Sequence, residues 1–343
     1  MKYHEYLTRR LIGMIVSLIG LSIIIFTVSR ILPGNPARMA LGPTATDEQV
    51  EEFARELGLH QPIPLQYLDY LQGLLVGDLG TSLQTRSPVA NDILWYLPAT
   101  LELITLAMVF TIVFGIVLGV IAASNKDGAV DNATRLVAFV GVSIPGFFIG
   151  ILLQLLFGYL LQWFPITGRL SREFQDEVSR QTGFMLIDTV LQGHWEAHVD
   201  VWMHLILPAM ALSMAGIGQI MRITRSSMID VQRKEFIEAE RGLGLPNWLV
   251  VYKYTLKNAF IPTLTILGLL YASLLGNAFL IELVFNFPGL ASYGVNAVLT
   301  NDFNAIVGVT MTIGLAFVLA NLAVDLLLGR VDPRIRLSME EAT

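Results

Sequence analysis

The side chains that most often do chemistry in proteins are sparse in this sequence and do not form a set. It has five histidines and no cysteine, which excludes disulfides, thiolate metal sites and a thiol nucleophile. His194 and His198 are four residues apart, so a helix would place them side by side, but no third ligand stands in a recognisable frame with them. We therefore expect a surface pair rather than a metal site, and no catalytic or cofactor-binding residues.

Other polar residues and prolines lie inside long apolar runs. Glu102, Glu282 and Asp325 are near the ends of such runs, where bonding between helices or at the interface explains a carboxylate better than a functional site does. Pro145, with Ser143 beside it, and Pro208 are expected to kink their helices, and broken helices often line transport pathways. We take Ser143, Pro145 and Pro208 as candidate pathway residues, with plain packing as the equally open alternative.

Composition places these residues in a membrane protein. Of 343 residues, 54% are hydrophobic and only 15% are charged, whereas a soluble domain carries about 25% charged residues. The net charge of −6 offers no basic face to a nucleic acid. A soluble enzyme and a nucleic-acid partner are both disfavoured.

Six uncharged runs are long enough for helices that cross the roughly 30 Å apolar core of a bilayer. They are continuous rather than alternating, which favours helices over a barrel. The third run includes an interfacial tail, and the fourth is the weakest because it is short and contains a proline. Small-residue pairs four apart, Gly115/Gly119 and Gly146/Gly150, predict close helix packing. The expected fold is an all-α membrane protein with six spans, at 11–29, 103–124, 136–166, 204–221, 258–281 and 303–324.

The basic residues predict an orientation. Among the tails and the segments between spans, fifteen Lys and Arg residues fall on one side and six on the other. The positive-inside rule puts both termini in the cytoplasm of a multi-pass protein in the cell membrane. The expected organisation is a cytoplasmic N-terminus with the first span (1–32), a long external segment with short helices (33–98), and a core of five spans with a cytoplasmic loop (222–257) and a C-terminal tail (99–343).

The external segment contains a helix start signal. Residues 46–49, Thr-Asp-Glu-Gln, match a capping box, in which the first and fourth side chains bond each other's backbone N–H groups. Val50, Phe53 and Leu57 would then lie on one face of the helix.

The cytoplasmic loop 222–257 is amphipathic and charged, and Gly244-Leu245-Pro246 divides it. Glycine allows a sharp exit from a helix, and proline suits the start of the next one. We expect a helix, a corner and a second helix, forming a protruding bracket whose polar faces another protein could hold.

At this bracket the sequence resembles the permease subunits of ATP-binding-cassette (ABC) importers. Their hallmark is Glu-Ala-Ala, three residues and then Gly; residues 238–244 read Glu-Ala-Glu-Arg-Gly-Leu-Gly. Glu240 replaces the usual small third residue, and Lys257 stands where many members have proline. Within that family the sequence resembles the dipeptide/oligopeptide/nickel branch, and this resemblance covers about 330 residues. The motifs that carry it lie at 9–11, 32–37, 56–59, 77–82, 97–103, 143–147, 287–290 and 331–334.

The resemblance implies the type I importer permease fold and a set of partners. These are a second, homologous permease completing the pore, two ATP-binding subunits that use ATP and Mg, and an external solute-binding protein. It further implies that Glu235, Glu238, Ala239, Glu240, Gly244 and Leu245 couple the pore to the ATP-binding subunits. The sequence itself lacks a Gly-x-x-x-x-Gly-Lys-Ser/Thr loop, so ATP hydrolysis would belong to another chain.

Peptides are the expected substrates, and the same branch also moves nickel chelates, glutathione and oligosaccharides. A rival of another class is an ion-coupled secondary transporter. Such proteins usually carry ionisable groups near the membrane midplane and matched repeats, and this sequence shows neither clearly.

Overall fold

The computed structural model describes residues 3–31, 38, 41, 45–56 and 58–331. Its regular structure is helical, and strand-like pairing in the described part is limited to one bridge between Thr81 and Pro88. The chain divides into two compact units, the larger mainly Ala99–Pro288 with residues from Phe317 onward, and the smaller His4–Pro98 with Gly289–Ala316. The helices are α1 (Tyr3–Ile31), α2 (Asp47–Glu56), α3 (Ile63–Val76), α4 (Val89–Ser124), α5 (Ala129–Ser143), α6 (Gly146–Leu160), α7 (Met185–Leu191), α8 (Trp195–Gln232), α9 (Glu235–Gly242), α10 (Asn247–Val284), α11 (Leu290–Leu299) and α12 (Phe303–Val331).

Helices α1, α4, α8, α10 and α12 are each long and apolar enough to cross a membrane. Counting the bent pair α5–α6 as one span brings the number within the described residues to six. The all-α fold with six spans is therefore confirmed.

The third apolar run, 136–166, differs from the single span that its hydropathy predicted. Helices α5 and α6 meet at an angle of 108°. Pro145, directly before α6, has no N–H to continue a helix, and Ile144 is extended (φ −92°, ψ 130°), as the residue before proline prefers. Proline at this point thus ends one helix and starts another.

The fourth run, 204–221, forms the middle of a much longer helix. Helix α8 has 38 residues, so it is about 57 Å long and exceeds the roughly 30 Å apolar core of a bilayer. Its polar ends lie outside the apolar run, which is why hydropathy alone did not assign them to the helix. Residues 222–232, expected to belong to a loop, are instead the last turns of α8.

Glycines let the helices of the larger unit approach α8 closely. A Cβ added at Gly115 or Gly119 of α4 would lie 2.7 Å from Ile220 or Thr224 of α8. The same holds on α8 itself, where a Cβ at Gly218 would lie 2.6 Å from the Ala138 carbonyl oxygen of α5. The predicted close packing at Gly115 and Gly119 is confirmed. Gly150 likewise contacts a neighbour, since a Cβ there would lie 3.0 Å from the Phe285 ring.

Gly218→Val is expected to lower the free energy of unfolding by about 1–3 kcal/mol, because overpacking forces neighbouring backbone apart. The midpoint of thermal unfolding of the purified protein in detergent measures the effect. The control is Gly20→Ala in α1, where no atom lies within 4 Å of the added Cβ. Equal midpoints for the two variants would contradict the close approach of α5 and α8.

Buried charged groups connect segments of the larger unit. Glu282 is fully buried and accepts a hydrogen bond from Thr100 Oγ1 at 2.5 Å. Asp131 of α5 is fully buried and receives two hydrogen bonds from Arg225 of α8, at 2.6 Å from Nε and 2.5 Å from Nη2. The expected bonding between helices is thus confirmed for Glu282, whereas the side chain of Asp325 lies outside the described part.

The smaller unit contains the capping box that the sequence predicted. The backbone N–H of Thr46 donates to Gln49 Oε1 at 3.0 Å, and the N–H of Gln49 donates to Thr46 Oγ1 at 3.3 Å. Val50 and Ala54 are the buried positions of the helix that follows. The side chain of Phe53 and all of Leu57, both expected on that face, lie outside the described residues.

Two buried carboxylates organise the rest of this unit. Asp302 precedes α12 and accepts hydrogen bonds from Ser82 Oγ at 2.6 Å and from the Leu83 N–H at 2.7 Å. Asp92 accepts one from the Tyr293 hydroxyl at 2.9 Å. Burial raises the pKa of Tyr293 above its ordinary value, with Asp92 adding to the shift, so the phenol keeps the proton that it donates. Asp302 thus holds the 81–84 turn against the start of α12.

Asp302→Ala is expected to lower the free energy of unfolding by about 1–3 kcal/mol, because it leaves the buried Ser82 hydroxyl and the half-buried Leu83 N–H without their acceptor. We expect faster cleavage in the 77–88 segment under limited proteolysis. Asp69→Ala, which removes an exposed carboxylate from the same unit, is the control. Identical cleavage rates in both variants would show that Asp302 does not hold the turn.

Candidate functional site

The coupling bracket predicted from the sequence consists of α9, the corner 243–246 and the start of α10. Helix α9 follows α8 after two residues, and Lys234 is extended (φ −80°, ψ 143°), which breaks the helical path. At the corner Gly244 has φ +76°, a left-handed conformation that favours glycine, and its N–H donates to the Arg241 carbonyl at 3.0 Å. Pro246 then precedes α10. The structure therefore has the helix, the corner and the second helix in the expected order.

A single buried side chain anchors α9. Ile237 is fully buried, whereas Phe236 is 44% exposed. Two further large apolar residues are exposed at the corner, Leu243 at 77% and Trp248 at 65%. Large exposed apolar side chains beside charged residues are typical of protein–protein interfaces. The sequence analysis did not single out Phe236, Ile237, Leu243 or Trp248. The one sequence feature that could have indicated a role for them is that apolar residues stand on both sides of the Glu-Ala-Glu motif.

The residues predicted to couple the bracket to its partners are mostly exposed. The side chains of Glu235, Glu238 and Ala239 are exposed, as is Gly244, while Glu240 and Leu245 are half-buried. A Cβ added at Gly244 would meet no atom within 4 Å, so close packing does not require glycine at this position. The left-handed backbone conformation does. Together with the apolar side chains of Phe236, Leu243 and Trp248, the carboxylates give the bracket a mixed acidic and apolar surface.

The candidate pathway residues fall at two places in the larger unit. Ser143 and Pro145 are exposed at the break between α5 and α6, whereas Pro208 is buried inside α8. The two places are near each other, because a Cβ added at Gly146 would lie 3.3 Å from the Ala211 carbonyl oxygen. Ser143 and Pro145 therefore lie on the surface of the chain at the break, whereas Pro208 is buried within the larger unit.

The His194/His198 pair does not converge on an open site. His198 Nδ1 lies 2.9 Å from Thr189 Oγ1, and the Trp202 indole N–H donates to its Nε2 at 3.0 Å. Both ring nitrogens of His198 are therefore occupied by protein partners. No group of three or more His, Asp or Glu side chains in the described ranges could hold a metal ion.

Glu102 belongs to a buried cluster of polar groups. It receives hydrogen bonds from Arg169, at 3.1 Å from Nε and 2.5 Å from Nη2, and from the Leu186 N–H at 2.7 Å. Arg169 also donates to the Gly183 carbonyl at 2.9 Å. The cluster fastens the 169–186 segment to α4 through the loop residue Arg169 and through Leu186 at the start of α7.

Comparisons with known proteins agree along the whole chain. The family described as "Binding-protein-dependent transport system inner membrane component" matches residues 115–337, and its N-terminal component matches residues 3–104. The chain is 38% identical to the probable D,D-dipeptide transport system permease protein DdpB of Escherichia coli K12, over 98% of each protein. It is 38% identical to the dipeptide transport system permease protein DppB of Alkalihalophilus pseudofirmus, over 96% of this chain and 99% of the relative. It is 33% identical to the glutathione transport system permease protein GsiC of Pectobacterium atrosepticum, over 97% of this chain and 99% of that protein.

With its helical spans, this agreement means that the chain belongs to the family of binding-protein-dependent transport system inner membrane components, the multi-pass permeases with the type I ABC importer fold.

Proposed function

We infer that this chain is a permease subunit of an ATP-driven importer and forms half of a pathway for peptides delivered by an external solute-binding protein. The peptide assignment is supported by the names of the relatives, two of which are dipeptide permeases. Glutathione, the substrate named for a third relative, is itself a small peptide.

The observation that carries the proposal is the bracket. Helix α9 is a short helix outside the spans, with exposed Phe236, Glu238 and Leu243, and it connects the two long helices α8 and α10 directly. A protein that grips this helix can move both of them. Coupling requires that the two pore conformations bind the partner with different free energies.

The partners follow from this role. A second, homologous permease completes the pore, and two ATP-binding subunits bind the brackets and use ATP and Mg. Glu235, Glu238, Ala239, Glu240, Gly244 and Leu245 contact or shape that interface. The exposed Arg233, Lys234 and Arg241 around α9 suit the cytoplasmic side, which gives both termini a cytoplasmic location.

The test is uptake of radiolabelled dialanine by proteoliposomes that contain the assembled transporter. We expect uptake only when ATP is on the side of the vesicle membrane that carries the ATP-binding subunits and the binding protein is on the opposite side. Competition by glutathione, nickel–histidine and maltotriose at equal concentrations then ranks the substrate classes. Uptake driven by a proton or sodium gradient without ATP would overturn the proposal in favour of a secondary transporter.

A further inference from the structure

The middle of α10 carries an exposed polar face. Thr265, Ser273 and Asn277 are exposed, and all three lie within the apolar run 258–281 that the sequence predicted as a span. Thr265 Oγ1 donates to the Ile261 carbonyl of its own helix at 3.2 Å. The three polar residues share one side of the helix with Leu269 and Leu280, which are 58% and 52% exposed. Their position therefore puts these polar groups inside a predicted span, on the exposed surface of this chain.

Asn277 makes this face unsuitable for lipid. Its Nδ2 donates to the Ser273 carbonyl at 3.1 Å and to Ser273 Oγ at 3.2 Å, but its amide oxygen accepts no hydrogen bond from the described residues. An amide in hydrocarbon without its hydrogen bonds costs several kcal/mol.

Helix α1 shows what a lipid-facing surface looks like in this chain. The exposed hydroxyls between residues 11 and 28, those of Ser17 and Thr27, donate to carbonyls of their own helix at 2.9 and 2.7 Å, so they need no outside partner. The remaining large exposed side chains from residue 11 to 28 are aliphatic: Leu11, Ile12, Ile15, Val16, Ile19, Ile23, Ile24 and Val28. The polar face of α10 thus requires water or protein, and not lipid, beside it.

The spacing of residues on α10 suits water better than another helix. Where helices of this chain approach closely, glycines follow on successive turns, as at Gly115 and Gly119. On α10 exposed leucines flank the polar pair instead, with Leu269 one turn before Ser273 and Leu280 one turn after Asn277. Exposed leucines on the neighbouring turns would hold a partner backbone away from Ser273 and Asn277.

We propose that Ser273 and Asn277 line a water-filled section of the pathway and offer uncharged hydrogen-bonding groups to the transported peptide. The inference rests on the proposed import function. Hydroxyl and amide groups can exchange hydrogen bonds with peptide backbone amides, whatever charge the peptide side chains carry. No ionisable side chain lies on α10 between Lys257 and Glu282 other than the phenol of Tyr271, and Glu282 is buried against Thr100.

The absence of cysteine from the sequence permits a direct test, because a single introduced thiol is the only one on this chain. Ser273→Cys and Asn277→Cys would be made in the assembled transporter, in membranes open to both sides, and treated with the charged reagent methanethiosulfonate ethylsulfonate. Only a hydrated thiol forms the reactive thiolate readily. Both variants are expected to react at least about tenfold faster than Ile19→Cys, placed on the aliphatic face of α1.

Two results would overturn the inference. One is a labelling rate no higher than that of Ile19→Cys, which would place the face against lipid or tight packing. The other is an oxidant-induced disulfide between α10 and a cysteine placed in the second permease, without labelling, which would identify a helix–helix interface. Labelling requires neither ATP nor a known substrate, so its failure is separable from a failure of ATP-driven uptake. Gel filtration of each variant checks that the complex has assembled.

Discussion

Replacing Gly244 by valine is expected to remove most of the binding-protein-stimulated ATP hydrolysis and uptake, while the basal ATPase rate persists. Gly244 has φ +76°, where a β-branched side chain is strained. The strain of about 1–3 kcal/mol is relieved if the corner takes another conformation. Helix α9 would then point elsewhere relative to α10. Since coupling free energies are typically about 1–3 kcal/mol, losing this one lowers the stimulated rate roughly 5- to 150-fold.

The chain offers a matched control two residues away. Gly242 is also exposed, and a Cβ added there would also meet no atom within 4 Å, but its φ is not in the left-handed region. Gly242→Ala should therefore retain stimulated hydrolysis and uptake near the parent values. If Gly244→Val retained them as well, in a complex that assembles normally, the bracket would not be the coupling element. Glu238→Lys, which reverses an exposed charge without touching the backbone, tests the same interface by a second route.

Glu102→Ala is expected to destabilise the protein more than any substitution of a surface carboxylate. It leaves Arg169, which is 5% exposed, buried without its anionic partner. Breaking a buried ion pair by removing one partner costs about 3–5 kcal/mol. The measurement is the midpoint of thermal unfolding of the purified protein, followed by tryptophan fluorescence. Glu177→Gln, an exposed carboxylate in the segment after Arg169, should stay within about 0.5 kcal/mol of the parent.

A double variant separates the lost ion pair from lost packing. Glu102→Leu with Arg169→Leu removes both charges together, so no buried charge is left unpaired, and apolar replacements of buried pairs are often neutral. We expect the double variant to unfold at a higher temperature than Glu102→Ala alone. The opposite order would mean that the hydrogen bonds to Leu186 and Gly183, and not the ion pair, dominate this cluster.

Much of the fold could be predicted because a membrane demands long uninterrupted apolar segments. That requirement gave the six spans, but it gave the wrong ends for α8, since helix beyond the bilayer needs no apolar run. Local structure could also be predicted where all the residues that determine it lie in one short segment of the sequence. The reciprocal bonds of Thr46 and Gln49 and the corner at Gly244 are both of this kind.

Partners distant in sequence could not be predicted. Glu102 was expected at an interface or in bonding between helices, and it does bond Leu186 of α7, but its ion-pair partner Arg169 lies 67 residues further along the chain, in a loop. Hydropathy likewise could not reveal that the third run turns through 108°, because both halves are apolar. The exposed Phe236, Leu243 and Trp248 look like ordinary apolar positions in the sequence, and only the three-dimensional packing shows that, of these three and Ile237, Ile237 alone is covered.

The glycine contacts along α8 have a mechanical consequence. With backbone and side chains touching at Gly119 and Gly218, no compressible gap separates α8 from α4 or α5, and the three helices must tilt as a single stiff rod. A rod that pivots near its middle swings its two ends in opposite directions. Under the import function proposed above, a pull on the end of α8 at Gln232 would therefore move the far ends of all three helices in the opposite direction.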